Sequence, residues 1–160
     1  MDETTTEITN GQQAFEILGK FLAEDGWFPQ QLEDRTIYTM GFEGSNGRVT
    51  CYAQVRVDLE QFIFYVMAPA KVPENKRSLV AEFIARANYG LRIGNFEMDY
   101  SDGEVRYKSS LDFEGIVLQP ELIKNAIYPA VQTTDRYLPG LMGIIYGDKL
   151  PEEAIAEIES

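Results

Sequence analysis

The chain has 160 residues, of which 26 are acidic, 14 basic and none histidine, for a formal net charge of −12. Such acidity argues against a nucleic-acid partner, because wrapping a phosphate backbone needs a basic face that releases counterions. The missing histidine removes the commonest general base, the commonest metal ligand and every Ser–His or Cys–His nucleophile, and a lone Cys51 excludes both an internal disulfide and a Cys-cluster zinc site.

From the N-terminus, Asn10-Gly-Gln-Gln13 reads as a capping box with Asn10 as N-cap. Ala14, Ile17, Leu18, Phe21 and Leu22 follow at helical spacing, and Gly26 stands where a left-handed residue closes a helix over about 10–25. Residues 36–43 then read as a strand, ending at Gly44-Ser-Asn-Gly47, whose Asn-Gly is a hairpin signal. From 48 to 57 the alternation sends Val49, Cys51, Ala53, Val55 and Val57 to one face, and Arg48, Thr50, Tyr52, Gln54 and Arg56 to the other. After a turn at 58–61 comes Phe62-Ile-Phe-Tyr-Val-Met-Ala68, apolar on both faces.

Pro73 suits the start of a second helix, with Leu79, Val80, Phe83, Ile84 and Ala87 at helical spacing and Gly90 ending it as Gly26 ends the first. Two further strands join through Asp102-Gly103. Pro120 opens a third helix with Ile123, Ile127, Val131 and Thr134 inward; Pro129 is expected to kink it and Pro139-Gly140 to break it. The order α-β-β-β-α-β-β-α predicts an α+β domain: a largely antiparallel five-stranded sheet with helices packed on it. The expected organisation is an acidic arm over 1–9, one domain over 10–147, and an acidic segment over 148–160 that forms a short helix or a frayed tail.

Charge supports that division. Residues 1–35 hold 8 acids and 2 bases, 148–160 hold 5 and 1, and the middle is nearly balanced. The ends therefore read as a solvated, solubilising skin. The first ten residues have no apolar core, and the longest apolar run, 62–70, is far short of the roughly 20 residues a membrane span needs. The expectation is a cytoplasmic protein with no membrane partner.

Most candidate chemistry dissolves into turn chemistry. Asp99, Asp102 and Glu104 hint at a calcium loop but sit around a hairpin tip, without the terminal bidentate Glu of an EF-hand. The Gly-rich run from Gly41 to Arg48 leads into a strand, whereas a phosphate cradle leads into a helix. Gly140, Gly143 and Gly147 read as relief of crowding or helix ends, and Asp58 and Glu60 border a turn where no burial tunes them for acid–base work. Cys51 reads as a small buried hydrophobe. No cofactor, metal or catalytic residue is expected. The remaining feature is a sheet face. If Phe62, Phe64 and Val66 join the core, then Ile63, Tyr65 and Met67 emerge opposite, beside Tyr52 and rimmed by Gln54 and Arg56, as apolar and aromatic protein interfaces are. Either the third helix or the C-terminal segment covers this patch, or it is free to meet a protein.

The stretches Val72-Pro73, Phe83-Ile-Ala-Arg-Ala-Asn-Tyr-Gly-Leu91, Gly94-Asn-Phe-Glu-Met-Asp99 and Asp102-Gly-Glu-Val-Arg-Tyr107 resemble the YbjN-like family of bacterial sensory transduction regulators, over about residues 10–146. The resemblance implies a type III secretion chaperone-like fold and a non-enzymatic protein working through protein–protein contacts, with itself as a homodimer or with a client. Asn88 and Asn95 stand out within the run; their ordinary reading is side chain-to-backbone bonding at a helix end and a strand start. Two functions follow. The first is protein binding through Tyr52, Arg56, Ile63, Tyr65 and Met67; the alternative is a small-molecule site or histidine-free enzyme built from carboxylates and tyrosines.

Overall fold

The computed structural model describes residues 7–160. Of the acidic arm expected over 1–9, residues 1–6 lie outside the described residues. The first helix, α1, runs Asn10–Glu24, and its cap lies one residue earlier than expected. Thr9 is extended, its hydroxyl accepts from the Gln12 amide at 3.2 Å, and the Gln12 side chain accepts from the Thr9 amide at 2.9 Å. This capping box frees Asn10, whose amide instead donates to Glu60 at 2.5 Å and to the Ile116 carbonyl at 2.8 Å. The far end closes as read: Gly26 is left-handed (φ 80°), and the amides of Trp27 and Gly26 bond back to Leu22 and Ala23 in a Schellman pattern. Trp27 then packs its ring near Phe42 and Tyr128.

The strands are β1 Gln30–Gln31, β2 Ile37–Glu43, β3 Arg48–Arg56, β4 Gln61–Met67, β5 Asn95–Met98 and β6 Val105–Asp112. They form an antiparallel sheet of six strands, not five, in the order β1-β2-β3-β4-β6-β5. The added strand is two residues long, pairing Gln30 with Thr39 and Gln31 with Tyr38. Two glutamines after Pro29 carry no alternation, so only the pairing itself defines this strand. A 3₁₀ turn over Glu74–Lys76 precedes α2, Arg77–Tyr89. Its closing Gly90 stays right-handed (φ −97°), unlike Gly26.

The third helix departs most from expectation. α3 runs unbroken over Pro120–Tyr146, through Pro129 and Pro139. A proline inside a helix leaves the carbonyl four residues earlier without its partner. For Pro139 that carbonyl belongs to Asp135, and the Asn46 side chain donates to it at 3.0 Å. The Asp135 carboxylate in turn accepts from the amides of Asn46 (2.8 Å) and Ser45 (3.2 Å). The β2–β3 hairpin tip thus repairs the helix that the proline would have broken. For Pro129 the carbonyl is that of Asn125, on the exposed side of α3, where water can serve it. The acidic C-terminal segment forms α4, Pro151–Glu159, packed on α2 and α3.

The core lies between the helices and one face of the sheet. Met40, Cys51, Ala53, Val55, Phe62, Phe64, Val66, Val105 and Tyr107 point into it and meet Leu18, Leu22, Phe83, Ile123, Ile127, Val131 and Tyr137. Phe15 stacks on Tyr38 at 4.8 Å, and Phe96 meets Tyr107 and Tyr137 edge-on at 5.0 and 5.7 Å. No helix among the described residues is long and apolar enough to cross a membrane.

Candidate functional site: the open sheet face

Strand alternation fixes which residues oppose the core. Tyr52 pairs with Thr39 on one side and Tyr65 on the other, and Tyr65 with Lys108; Gln54, Ile63 and Ser110 form the next row, and Thr50, Met67, Arg106 and Glu97 the row on the other side. Neither α3 nor α4 covers these rows. The shallow depressions on this face are lined only by strands and adjoining loops. Tyr52, Ile63, Tyr65 and Met67 are nonetheless only partly exposed, because side chains on adjacent strands flank them, whereas Arg56 at the end of β3 is exposed. Four of the five expected residues therefore form one contiguous patch. Arg56 stands at its edge, paired loosely with Asp58 at 3.9 Å.

The polar rim is chiefly one that the strand reading of β3 and β4 does not contain. The Arg106 guanidinium lies 4.2 Å from the centre of the Tyr65 ring, a cation–π contact. Glu97 accepts from Arg106 at 2.5 Å and from Lys108 at 3.0 Å, bridging the two cations. Burial opposes ionisation of Glu97, but the hydrogen bonds and charges of Arg106 and Lys108 outweigh it and hold its carboxyl below the usual range. Arg106 and Lys108 become neighbours of Tyr65 only because β6, not β5, lies beside β4, and Glu97 on β5 bonds to them from the far side of β6. The alternation of Arg106 and Lys108 with Val105 and Tyr107 shows that they face away from the core, but not which strand they flank. Within the paired strands the face carries Arg48, Arg56, Arg106 and Lys108 against Glu43, Glu97 and Asp112, and with Asp99 and Glu104 beside Arg106 it is close to neutral on a chain of −12.

The other candidates resolve locally. Asp99 accepts from the amide (2.9 Å) and hydroxyl (2.6 Å) of Ser101, and Asp102 from the amide of Glu104, as turn carboxylates do. Glu60, left-handed at φ 54°, accepts from Asn10. The Cys51 thiol is fully enclosed, and burial pushes it up to about 12, so it is no thiolate at neutral pH. Asn88 does more than end a helix: its side chain donates to the Phe96 carbonyl (2.9 Å) and accepts the Phe96 amide (2.8 Å), pairing with β5 as a neighbouring strand would. Asn95 donates to the same carbonyl at 3.2 Å. A small apolar cavity of about 10 Å³ among Phe83, Ile84, Phe96, Tyr137, Leu138 and Leu141 is about the size of one water molecule. Among the described residues, no buried side-chain polar atom lacks a partner and no acidic or cysteine cluster has metal-ligand geometry.

A family model described as "Putative bacterial sensory transduction regulator" matches residues 14–142. The chain belongs to the YbjN family. No curated protein gives a sequence match. Among solved structures, the chain is similar to the ExsC–ExsE complex (TM-score 0.57, 12% identity, covering 82% of this chain and 96% of that one). It is likewise similar to YbjN of E. coli, described as a putative transcription regulator (0.55, 10%, 74% and 84%), and to the HopA1–SchA chaperone–effector complex (0.51, 14%, 76% and 90%). At these identities the likeness is one of fold: the α+β architecture of YbjN proteins and type III secretion chaperones.

Proposed function

We propose that this YbjN-family chain is a non-enzymatic, cytoplasmic protein-binding domain, and that its open sheet face receives a segment of another polypeptide. The observation that carries the reading is the one-sided packing of the helices, which leaves Tyr52, Ile63, Tyr65 and Met67 uncovered in one patch. Desolvating aromatic and Met side chains supplies affinity, and the rim cations Arg106 and Arg56 supply orientation. The near-neutral charge of this face lets a partner approach an otherwise strongly acidic molecule. Two of the similar structures hold protein partners, ExsE and HopA1, which supports a protein as the occupant here. The binding domain is taken as residues 10–147, with the exposed carboxylates of the two ends serving solubility.

A photo-crosslinking amino acid placed at Tyr52 or Tyr65 tests this in cells. The expected result is one product common to both positions, absent from a probe at Tyr89, which is 95% exposed on α2. The product is lost on Arg106→Glu. A product of about 36 kDa, twice the 18.1 kDa chain, makes the occupant a second copy in place of a client. No product at either position, or equal products at Tyr89, sinks the reading. Light scattering with Tyr65→Asp is the companion measurement: association is lost while the circular dichroism is kept, and unfolding instead means the patch is structural.

A further inference from the structure

Away from the open face, α4 lies against α2 and α3 in the manner of a bound peptide. Only Pro151 and Ala154 of its nine residues are buried, and Ile155 and Ile158 complete its apolar side. The seat is shaped for that side. Gly140 of α3 presents bare backbone, and a methyl group there would collide with the Ile158 Cδ1 and the Phe83 ring. The polar contacts holding α4 are peripheral: Arg136 donates to the Ile158 carbonyl (3.2 Å), Tyr137 to the Glu159 carboxylate (2.7 Å), and Lys76 to the Gly147 carbonyl (3.0 Å). Lys149 pairs with Glu157. The helix itself carries Glu152, Glu153, Glu157 and Glu159 and no base, while Lys76 and Arg136 rim the seat. The family match ends at residue 142, before α4 begins.

We propose that the α2/α3 groove is a second protein-binding surface, selective for an acidic amphipathic helix with Ala and Ile four residues apart, and that α4 occupies it in cis as a displaceable plug. Helix-in-groove recognition uses such anchors, one turn apart, seated against small residues, and the acidic-on-basic rim sets the charge of the partner. With two fully buried residues and a four-residue connection, Gly147–Leu150, α4 opens as a unit while α3 and the sheet keep their packing. This surface is independent of the open sheet face, so either proposal can fail alone.

The test uses the full chain and a fluorescent peptide of residues 148–160, read by anisotropy. Ile158→Asp, which weakens the plug, is expected to bind the peptide at least about tenfold more tightly than the unaltered chain, since a competing cis occupant lowers apparent affinity. The same peptide bearing Ile158→Asp does not bind, Gly140→Val in the chain abolishes uptake, and Tyr65→Asp leaves it unchanged. A folded Ile158→Asp chain that takes up no peptide overturns the proposal. Hydrogen exchange on the unaltered chain decides it should that variant not fold. Amides of residues 155–158 then exchange at least about tenfold faster than those of residues 131–141, by local opening; equal rates mean that α4 opens only with global unfolding, and the proposal fails.

Discussion

Along β3, Cys51, Ala53 and Val55 alternate with Tyr52, Gln54 and Arg56, yet the first three are wholly out of water and the second three line the open face. β4 repeats the contrast with Phe62, Phe64 and Val66 against Ile63, Tyr65 and Met67. On the covered side the side chains pack into the core beneath the helices, so volume decides stability. On the open side the apolar atoms are flanked only by their strand neighbours, and deleting one leaves no cavity behind. Composition alone does not tell the two faces of β4 apart. What separates them is which face the helices meet.

The largest expected effect comes from erasing that contrast at one position. Phe64→Ala should lower unfolding stability by roughly 3–5 kcal/mol, through lost burial and the cavity it leaves, whereas Tyr65→Ala, its neighbour in sequence, should cost under about 1 kcal/mol. Urea titration of both variants measures the gap; similar losses would mean that the open face is core after all. Next, Asn88→Ala should cost about 1–3 kcal/mol, because it strands the Phe96 amide at the sheet edge and leaves the Phe96 carbonyl only its Asn95 bond, and exchange at the Phe96 amide should rise with it. Asn88→Asp keeps only the acceptor and should recover part of the loss.

The smallest effect lies at Glu97. Its folded-state ionisation is held below the ordinary range near 4.3, so its pairing with Arg106 and Lys108 stabilises the fold above that pH and is lost as pH falls through the folded value. Glu97→Gln should therefore lower the melting temperature by a degree or two near neutrality, and the difference should fade as pH falls below the ordinary carboxylate range. A difference that grows on acidification would contradict the ion-pair account. Chemistry offers a further check on the covered face. With its ionisation pushed up to about 12, the Cys51 thiol should resist an aromatic disulfide reagent in the native protein and react only at the rate of unfolding.

Much of this arrangement is legible in residues whose signal is local. The alternation read over 48–57 forms a strand over Arg48–Arg56, the two-faced apolar run at 62–68 forms one over Gln61–Met67, and Gly26 closes α1 as read. The misreadings share a cause: a partner far along the chain. Pro139 breaks nothing because Asn46, ninety-three residues away, bonds the carbonyl that it orphans. β1 exists only as the pairing of two glutamines with Tyr38 and Thr39. The apolar patch is legible from β3 and β4, but Arg106 and Lys108 reach it through a crossover that places β6 inside β5. Thr9 outcompetes Asn10 as the cap because Asn10 is engaged by Glu60 and Ile116 across the fold.

The bond pair between Asn88 and Phe96 bears on how this molecule can polymerise. A sheet with two free margins is a template that copies itself without limit, and fibrils grow that way. Here one margin is stoppered at the middle of its four-residue terminal strand by a side chain from α2, leaving lateral growth to the β1 side alone. Margin-to-margin joining through that side ends with the second molecule, whose outer margin is stoppered in turn. An edge-to-edge pair would thus be self-limiting, and Asn88→Ala should lift that limit.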